Sequence, residues 1–301
     1  MAECFVRDGR EATHSAPPGL LQASFPTIRA MSSPFRPRRL AALSLLGLAA
    51  FAAHAAELAV GFMPGPYRDA FAKGIAPQLE KKGYQIRYVE FSQGVQPNDA
   101  VQRGNIDANI FQHTLYLQAT NKSQGFDLVP VVHVPTPPMG LYSQKHRKLA
   151  DVPDGATVTL PADPVNAARA LNILAGLGWV QLKPGVDPIS VSERDVVANP
   201  KRLKLVPLDA AQAPRSLADA DLAAVQGNFA VASGLKLTEA LKLEDMTLPY
   251  VNLVAVKRGN ENAAFARDIA EAYRSAEFQR FFRANPVWAG YRLPDYFTAA
   301  Q

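Results

Sequence analysis

The hydrophobic pattern after residue 56 alternates between short β-rich runs and amphipathic helical segments. Strand-like runs at 57–63, 86–91 and 106–111 are separated by apolar residues at helical spacing over 67–82 and 98–103. Each helical segment ends close to a glycine, which commonly follows the last turn of a helix. This β-α-β-α-β order predicts a parallel sheet whose strands are joined by crossover helices.

A second α/β set follows residue 139, so the pattern predicts an α/β protein with two lobes. Each lobe is expected to be a mostly parallel sheet flanked by helices. Further strands are predicted at 128–134, 139–143, 156–160, 203–208, 222–226 and 250–256, and helical segments at 166–176, 213–218 and 265–282. The last helix needs a sheet to pack against, so residues 247–301 are assigned with 56–140 to lobe 1, and 141–246 to lobe 2. Ligands of open α/β sheets bind beyond the carboxyl ends of strands, which points to the cleft between the lobes. Such lobes close over a ligand by a hinge motion.

The chain begins with a segment, residues 1–55, that has the layout of an N-terminal extension followed by a secretory signal peptide. Three arginines within 36–39 precede an uncharged apolar run at 40–53, and Ala53-His54-Ala55 presents small residues to a signal peptidase. The apolar run is short for a transmembrane helix, so we expect cleavage after Ala55 and export to the periplasm. Met31 is the expected start of translation. An uncleaved membrane anchor is the alternative.

Removing that segment changes the charge and the cysteine count. Six of the 32 basic residues and three of the 27 acidic residues precede residue 56, so the remainder is close to neutral, with 26 against 24. A near-neutral chain without a Lys/Arg block is not expected to bind nucleic acid. The one cysteine, Cys4, lies in the removed segment. The mature chain is therefore not expected to contain a disulfide, a thiolate metal site or a catalytic thiol.

Motifs for common enzymatic chemistry are missing from the sequence. His113, His133 and His146 lie 20 and 13 residues apart, which matches no compact metal motif. There is no G-x-S-x-G run for a serine nucleophile and no phosphate-binding glycine loop. We expect no metal and no cofactor. An enzyme would need a base in the cleft, for which His113 is the only candidate.

Three stretches contain candidate ligand contacts. In the first, Phe111, His113 and Tyr116 fall where a strand turns into a helix, so their rings would lie close together. Aromatic rings suit an apolar side chain or a thioether. An ordinary core stripe explains the same spacing.

The second stretch begins a helix after Asp163-Pro164. Asn166 and Arg169 lie three residues apart and share a helical face. Arginine beside a cleft can hold a carboxylate through two parallel hydrogen bonds, and the helix N-terminus adds backbone donors. A surface arginine is the alternative.

The third group consists of amides within or beside apolar strands. Gln226 and Asn228 flank a glycine after one predicted strand, and Asn252 interrupts the apolar run 250–256. A buried amide is costly unless it has a partner, which is either protein backbone or the charged head of a ligand.

These stretches resemble the methionine-binding lipoproteins of ABC importers, the NlpA/MetQ-type family. The matching pieces occur in family order: PGPY at 64–67, QPNDA at 96–100, DANIFQH at 107–113, MGLYS at 139–143, PADPVNAARAL at 161–171, APRSL at 213–217, QGNFA at 226–230 and PYVNL at 249–253.

The resemblance implies a type 2 periplasmic binding protein fold, with the ligand between two lobes. It implies that Arg169 pairs with the ligand carboxylate, with Asn166 nearby at the helix start. Asn252 would bind the amino-acid head group, and Phe111, His113 and Tyr116 would wall the side-chain pocket. The implied partners are a methionine-like small molecule and an ABC transporter permease, and the protein is expected to be a monomer without enzymatic activity.

The sequence departs from the family pattern at three places. Ala55-Ala56 stands where the family has a lipid-acceptor cysteine, so we expect a protein that diffuses freely in the periplasm. Gln226 replaces a usual asparagine, and Gly94 replaces a frequent tyrosine. Both changes leave the ligand's identity open between methionine, a bulkier or D-amino acid, and a dipeptide.

Overall fold

The computed structural model describes residues 56–297. The N-terminal extension, the signal peptide and the expected start at Met31 lie outside the described residues. Residue 56 is the first residue of the first strand of the α/β body.

The first sheet combines strands from both ends of the described chain. Its order is β2-β1-β3-β12-β4. The strands are β1 (Ala56–Phe62), β2 (Tyr84–Glu90), β3 (Ala108–His113), β4 (Leu128–His133) and β12 (Asn252–Lys257). β1 runs parallel to β2 and β3, whereas β12 is antiparallel to both β3 and β4. The late strand β12 thus lies inside the first sheet, between β3 and β4, where its residues 252–256 are buried.

The second sheet is formed by the middle of the chain, in the order β11-β5-β10-β6-β9. The strands are β5 (Gly140–Tyr142), β6 (Thr157–Pro161), β9 (Lys204–Leu208), β10 (Leu222–Val225) and β11 (Lys242–Leu243). β6, β9 and β10 are parallel, and β5 is antiparallel to its two neighbours. A separate ribbon pairs β7 (Gln181–Leu182) with β8 (Val196–Ala198). The predicted two-lobed α/β fold is confirmed, while the lobe limits at 140/141 and 246/247 stay predictions.

Nine α-helices flank these sheets in the part of the chain that the structure describes. They are α1 (Pro66–Ala70), α2 (Ala76–Glu80), α3 (Gln96–Gln102), α4 (Thr114–Gln124), α5 (Pro164–Gly176), α6 (Ala213–Ser216), α7 (Gly227–Ala232), α8 (Ala264–Arg274) and α9 (Ala276–Ala284). None of the helices within 56–297 has the length and apolar character needed to cross a bilayer.

Two predicted helices are interrupted. The segment 67–82 contains a π-helical turn, Phe71–Ile75, between α1 and α2. The segment 265–282 is divided at Ser275, whose extended backbone ends α8 and whose Oγ accepts the N–H of Phe278 at the start of α9. An N-capping serine starts a new helix because its side chain replaces a missing intrahelical acceptor. The apolar periodicity continues across this break, so Ile269 and Phe278 still reach the same core.

Each sheet packs on its own hydrophobic core. In the first lobe, Phe62, Phe71 and Phe278 are fully buried between the sheet and the helices. In the second, Val158 and Leu160 pack with the inner face of α5. Two separate cores allow two semi-independent bodies, joined by the chain segments before β5 and between β11 and β12.

Candidate functional site

A cavity of about 180 Å³ lies between the two lobes. Its lining includes residues at the carboxyl ends of strands in both sheets: Met63 follows β1, His113 ends β3, Ala162 follows β6, Asp209 follows β9 and Gln226 follows β10. This is where open α/β sheets bind ligands, because the loops and helix N-termini there present polar groups.

The structure brings all the residues singled out from the sequence to this cavity. They are Phe111, His113, Tyr116, Asn166, Arg169, Gln226, Asn228 and Asn252. They come from β3, α4, α5, α7 and β12 and from the residue that precedes α7. Their positions agree with the predicted cleft, and their contacts with a ligand stay predictions.

The Arg169 guanidinium is held by a carboxylate that the sequence did not indicate. Its Nε donates to Glu244 Oε2 at 2.9 Å and its Nη2 donates to Glu244 Oε1. The two side chains are only 5% and 7% exposed. Burial works against the charged guanidinium, yet the adjacent Glu244 carboxylate raises the pKa of Arg169 above its ordinary value. The guanidinium therefore keeps its positive charge although it is buried, and the Glu244 carboxylate beside it balances that charge.

Asn166 links this ion pair to the first lobe. Its Oδ1 accepts Nη1 of Arg169 at 2.9 Å and lies 3.3 Å from His113 Nε2. Its Nδ2 donates to both carboxylate oxygens of Asp163, which fixes the orientation of the amide. The Asn166 oxygen therefore joins Arg169 of one lobe to His113 of the other.

His113 is neutral in this environment. Burial, helped by the nearby Arg169 charge, lowers its pKa from the ordinary value to about 3, against a smaller opposite effect of the Asn166 hydrogen bond. Nδ1 accepts the backbone N–H of Tyr116 and so caps α4. The proton therefore resides on Nε2, which donates to Asn166 Oδ1.

Asp163 starts α5 in the way that the sequence predicted. Its Oδ1 accepts the backbone N–H of Asn166 at 2.9 Å. Burial raises the pKa of this carboxyl above its ordinary value, although the hydrogen bonds from Asn166 and the Arg169 charge oppose the shift. The carboxylate serves as the helix N-cap, and it lines the cavity.

Asn252 is oriented by main-chain and side-chain partners of the first lobe. Its Nδ2 donates to the Phe111 carbonyl oxygen and to the Tyr67 hydroxyl, both at 2.8 Å. Its backbone N–H donates to Thr136 Oγ1 at 2.8 Å. Both amide protons are used within the protein, so the Oδ1 atom is the part of this side chain left for the cavity.

Aromatic rings form the rest of the first-lobe wall. Phe111 and Tyr116 meet edge to face at 5.9 Å, and His113 meets Tyr250 at 5.3 Å. The Tyr250 ring also lies 5.2 Å from the Arg169 guanidinium. These rings shield the ion pair and provide an apolar surface beside it.

Gln226 and Asn228 differ in their partners. Gln226 Oε1 is buried without a hydrogen-bond partner among the described residues, and the residue lines the cavity. Asn228 Nδ2 donates across the cleft to the Pro64 carbonyl oxygen at 3.3 Å. Gly65 lies close to Asn228: a Cβ added at Gly65 would be 2.9 Å from the main-chain carbonyl oxygen of Asn228. The lobes therefore meet at this edge of the cavity.

Sequence reasoning missed Glu244 and Tyr67. Glu244 lies 75 residues from Arg169, in a run without a distinctive motif. Its backbone N–H donates to the carbonyl oxygen of Met139, which lies in the chain segment before β5. Tyr67 belongs to the PGPY piece, but no pattern connected it to Asn252, 185 residues away. Both partnerships depend on the tertiary fold.

The comparisons with known proteins cover most of the described chain. The model of the NlpA lipoprotein family matches residues 58–294. The D-methionine-binding lipoprotein MetQ of Salmonella typhi is 38% identical over 237 residues, which cover 78% of this chain and 86% of the relative. Lipoprotein 28 of Escherichia coli is 33% identical over 258 residues, covering 85% and 94%.

Solved structures give the same match. A nutrient-binding protein from Burkholderia cenocepacia bound to methionine is 36% identical, with a TM-score of 0.74 over 78% of this chain and 99% of that one. A periplasmic substrate-binding protein of an ABC transporter from Coxiella burnetii is 35% identical, with a TM-score of 0.73 over 79% and 100%.

These names correct the expected location of the protein. The expectation of a protein that diffuses freely in the periplasm, with no lipid anchor, is wrong. The family that matches is a lipoprotein family, and the relatives are named lipoproteins. Lipoproteins carry a lipid-modified cysteine at the signal-peptide cleavage site. Ala55 and the sole cysteine, Cys4, both lie outside the described residues.

Proposed function

Since the chain belongs to the NlpA lipoprotein family, we propose that it is the substrate-binding component of an ABC importer and that its cleft binds methionine or a closely related amino acid. The relatives named for methionine and the bound methionine of a similar structure support this choice of ligand. The partner would be the importer's membrane permease, which a single copy of the chain would engage.

The observation that carries the proposal is the arrangement of the Arg169 donors. A guanidinium has five N–H groups. Glu244 takes two of them and Asn166 takes one. One N–H on Nη1 and one on Nη2 remain for a ligand carboxylate. Two parallel bonds of this kind are the geometry in which arginine recognises carboxylates.

The rest of the lining supplies what the other end of an amino acid needs. Asn252 of the first lobe and Gln226 of the second both line the cavity, and the side-chain oxygen of each is an acceptor. An ammonium group is a donor only, so it fits these oxygens. Phe111, Tyr116 and Met63 offer an apolar surface to the side chain, and a thioether makes favourable contacts with aromatic rings.

The cleft is proposed to bind its ligand without transforming it. A general base works best with a pKa near the operating pH. The pKa of His113 is lowered to about 3, and both its ring nitrogens have protein partners. This histidine therefore serves as a neutral hydrogen-bonding group.

Isothermal titration of protein that has been unfolded, freed of ligand and refolded would test the proposal. We expect saturable binding of L- or D-methionine at a single site, together with a rise in melting temperature that grows with ligand concentration. Gly94 has no side chain where the family often has tyrosine, so a bulkier amino acid and a methionyl dipeptide belong in the same series. Failure of all these ligands to bind would overturn the proposal.

A further inference from the structure

We propose that Tyr67 is a positioning residue that fixes the Asn252 amide with its oxygen towards the cleft, so that the site selects ligands with a protonated amino group. This inference rests on the proposed function: Tyr67 would act on the specificity of that same site through the side-chain amide of Asn252.

The Phe111 carbonyl oxygen is the first of two acceptors that orient the Asn252 amide. A carbonyl oxygen can only accept, so the atom 2.8 Å from it must be the donor Nδ2. The reversed amide would set two oxygens against each other in a buried place, where an unmade hydrogen bond is costly. One Nδ2 proton is thereby assigned.

Tyr67 takes the other Nδ2 proton. Its hydroxyl accepts from Asn252 Nδ2 at 2.8 Å. The nearby Thr136 hydroxyl donates its own proton to the Val134 carbonyl oxygen, so it does not compete with Asn252 for the Tyr67 oxygen. The Tyr67 hydroxyl therefore serves Asn252 as an acceptor.

Thr136 closes the network around Asn252. Its Oγ1 also accepts the backbone N–H of Asn252 at 2.8 Å. Asn252 is thus held through its main chain by Thr136 and through its side chain by Tyr67 and Phe111. Rotation of the amide about the Cβ–Cγ bond would break the hydrogen bonds that Nδ2 donates to Phe111 and Tyr67. Oδ1 is therefore held in one place.

Hydrogen bonding at the hydroxyl separates this role from that of an ordinary core tyrosine. Tyr67, Tyr291 and their neighbours belong to the same hydrophobic cluster, and both tyrosines are more than nine-tenths buried. The Tyr291 hydroxyl has no partner among the described residues, whereas the Tyr67 hydroxyl accepts from Asn252 Nδ2. Burial also raises the pKa of Tyr67 well above its ordinary value, so the hydroxyl keeps its proton.

The consequence is a chemical preference. An acceptor fixed at the cleft attracts an ammonium group and offers nothing to a ligand that has lost its amino group. A freely rotating amide would present either its oxygen or its nitrogen, and would discriminate less. Tyr67 therefore acts on selectivity through Asn252.

The test compares Tyr67→Phe with the matched control Tyr291→Phe, in the refolded, ligand-free protein. Each variant is titrated with methionine and, by competition, with its desamino analogue 4-(methylthio)butanoate. Loss of one buried hydrogen bond predicts that Tyr67→Phe weakens methionine binding by about five- to twenty-fold. The analogue should lose less than about twofold, because it has no ammonium group to be bound. Tyr291→Phe should leave both affinities unchanged.

Two results would overturn the inference. Equal losses for methionine and the analogue would mean that Tyr67 only supports the fold, and unchanged methionine affinity would mean that it does not fix Asn252. These outcomes differ from failure of the proposed function, in which the unmodified protein itself would not bind methionine.

Discussion

The two walls of the cleft differ in charge. In the lining that the structure describes, the first-lobe wall has no Asp, Glu, Lys or Arg side chain and recognises through amides, hydroxyls and rings, such as Asn252 and Tyr67. The second-lobe wall carries Arg169, Asp163 and Asp209, and Glu244 lies directly behind the arginine. A zwitterion between them would meet charge on one side and oriented dipoles on the other.

The two walls are also held in place by different kinds of interaction. The neutral wall is fixed by bonds to main-chain atoms, because the strand β12 places Asn252 beside the Phe111 carbonyl oxygen. The charged wall depends on a side-chain pair that joins α5 to the connection between the lobes. We therefore expect substitutions in the charged wall to affect stability and binding together, and those in the neutral wall to affect mainly selectivity.

The largest effect is expected from Arg169→Ala. It leaves Glu244 as an unpaired buried carboxylate, which should lower the free energy of unfolding by about 3–5 kcal/mol. The ligand carboxylate loses its two charge-assisted bonds, so affinity should fall by about a hundred-fold. Urea denaturation and isothermal titration measure the two quantities.

A matched control for Arg169→Ala is available in the second lobe. Arg202 pairs with Asp154 at 2.8 Å, but these side chains are 71% and 48% exposed. Because water screens such pairs, Arg202→Ala should change stability by less than about 1 kcal/mol and leave affinity unchanged. Similar effects of the two substitutions would mean that the charged wall is not specially dependent on its buried pair.

His113→Asn tests the neutrality of the first-lobe wall. The native pKa of about 3 lies below the ordinary 6.5 of the unfolded chain, so only the unfolded state gains a proton as pH falls below about 6.5. This histidine should therefore lower the free energy of unfolding by up to ~1.4 kcal/mol per pH unit between pH 6 and 4. Asparagine, which can still cap α4, should remove that part of the slope. The check is urea denaturation across this range, and equal slopes would contradict a neutral His113.

Gly65→Ala tests whether the two walls must meet. Gly65 has a φ of 137°, and an added Cβ would be 2.9 Å from the main-chain carbonyl oxygen of Asn228 in the second lobe. We expect about ten-fold weaker binding because the lobes cannot approach fully. Gly83→Ala is the control: its φ of 90° also lies where L side chains are rarely found, but nothing lies within 4 Å of the added Cβ. It should lower stability by about 1–2 kcal/mol without changing affinity. Equal affinities of the two variants would show that this contact does not matter for binding.

The sequence predicted the strands, the parallel crossovers and the residues of the cavity better than it predicted their partners. Strand periodicity and glycine stops are local, so they located β1, β6 and β10 to within a few residues. Arg169 and Asn252 were singled out by their helix-start and strand contexts together with the family resemblance. Both line the cavity, and their contacts with a ligand stay predictions. Glu244 was missed because its pairing with Arg169 spans 75 residues, and no local pattern records such a contact. The break at Ser275 was missed because an apolar stripe continues through it.

The smallest effect concerns the open end of the neutral wall, at Gly94. An added Cβ would be 2.7 Å from the Tyr116 hydroxyl, at the movable end of a side chain. Gly94→Ala should therefore displace the Tyr116 ring slightly and change methionine affinity by about two- to three-fold, since flexible neighbours absorb most of such a clash. Burial raises the pKa of Tyr116 to about 12, so the hydroxyl stays protonated and contributes through its size and hydrogen bonding.

In Tyr116→Phe the clashing oxygen is gone, and adding Gly94→Ala should then have no further effect on affinity. The four affinities form a double-mutant cycle in which close neighbours give non-additive energies. Additive effects would show that Gly94 and Tyr116 act on the ligand separately, and the neutral wall would then tune its pocket without contact between these two positions.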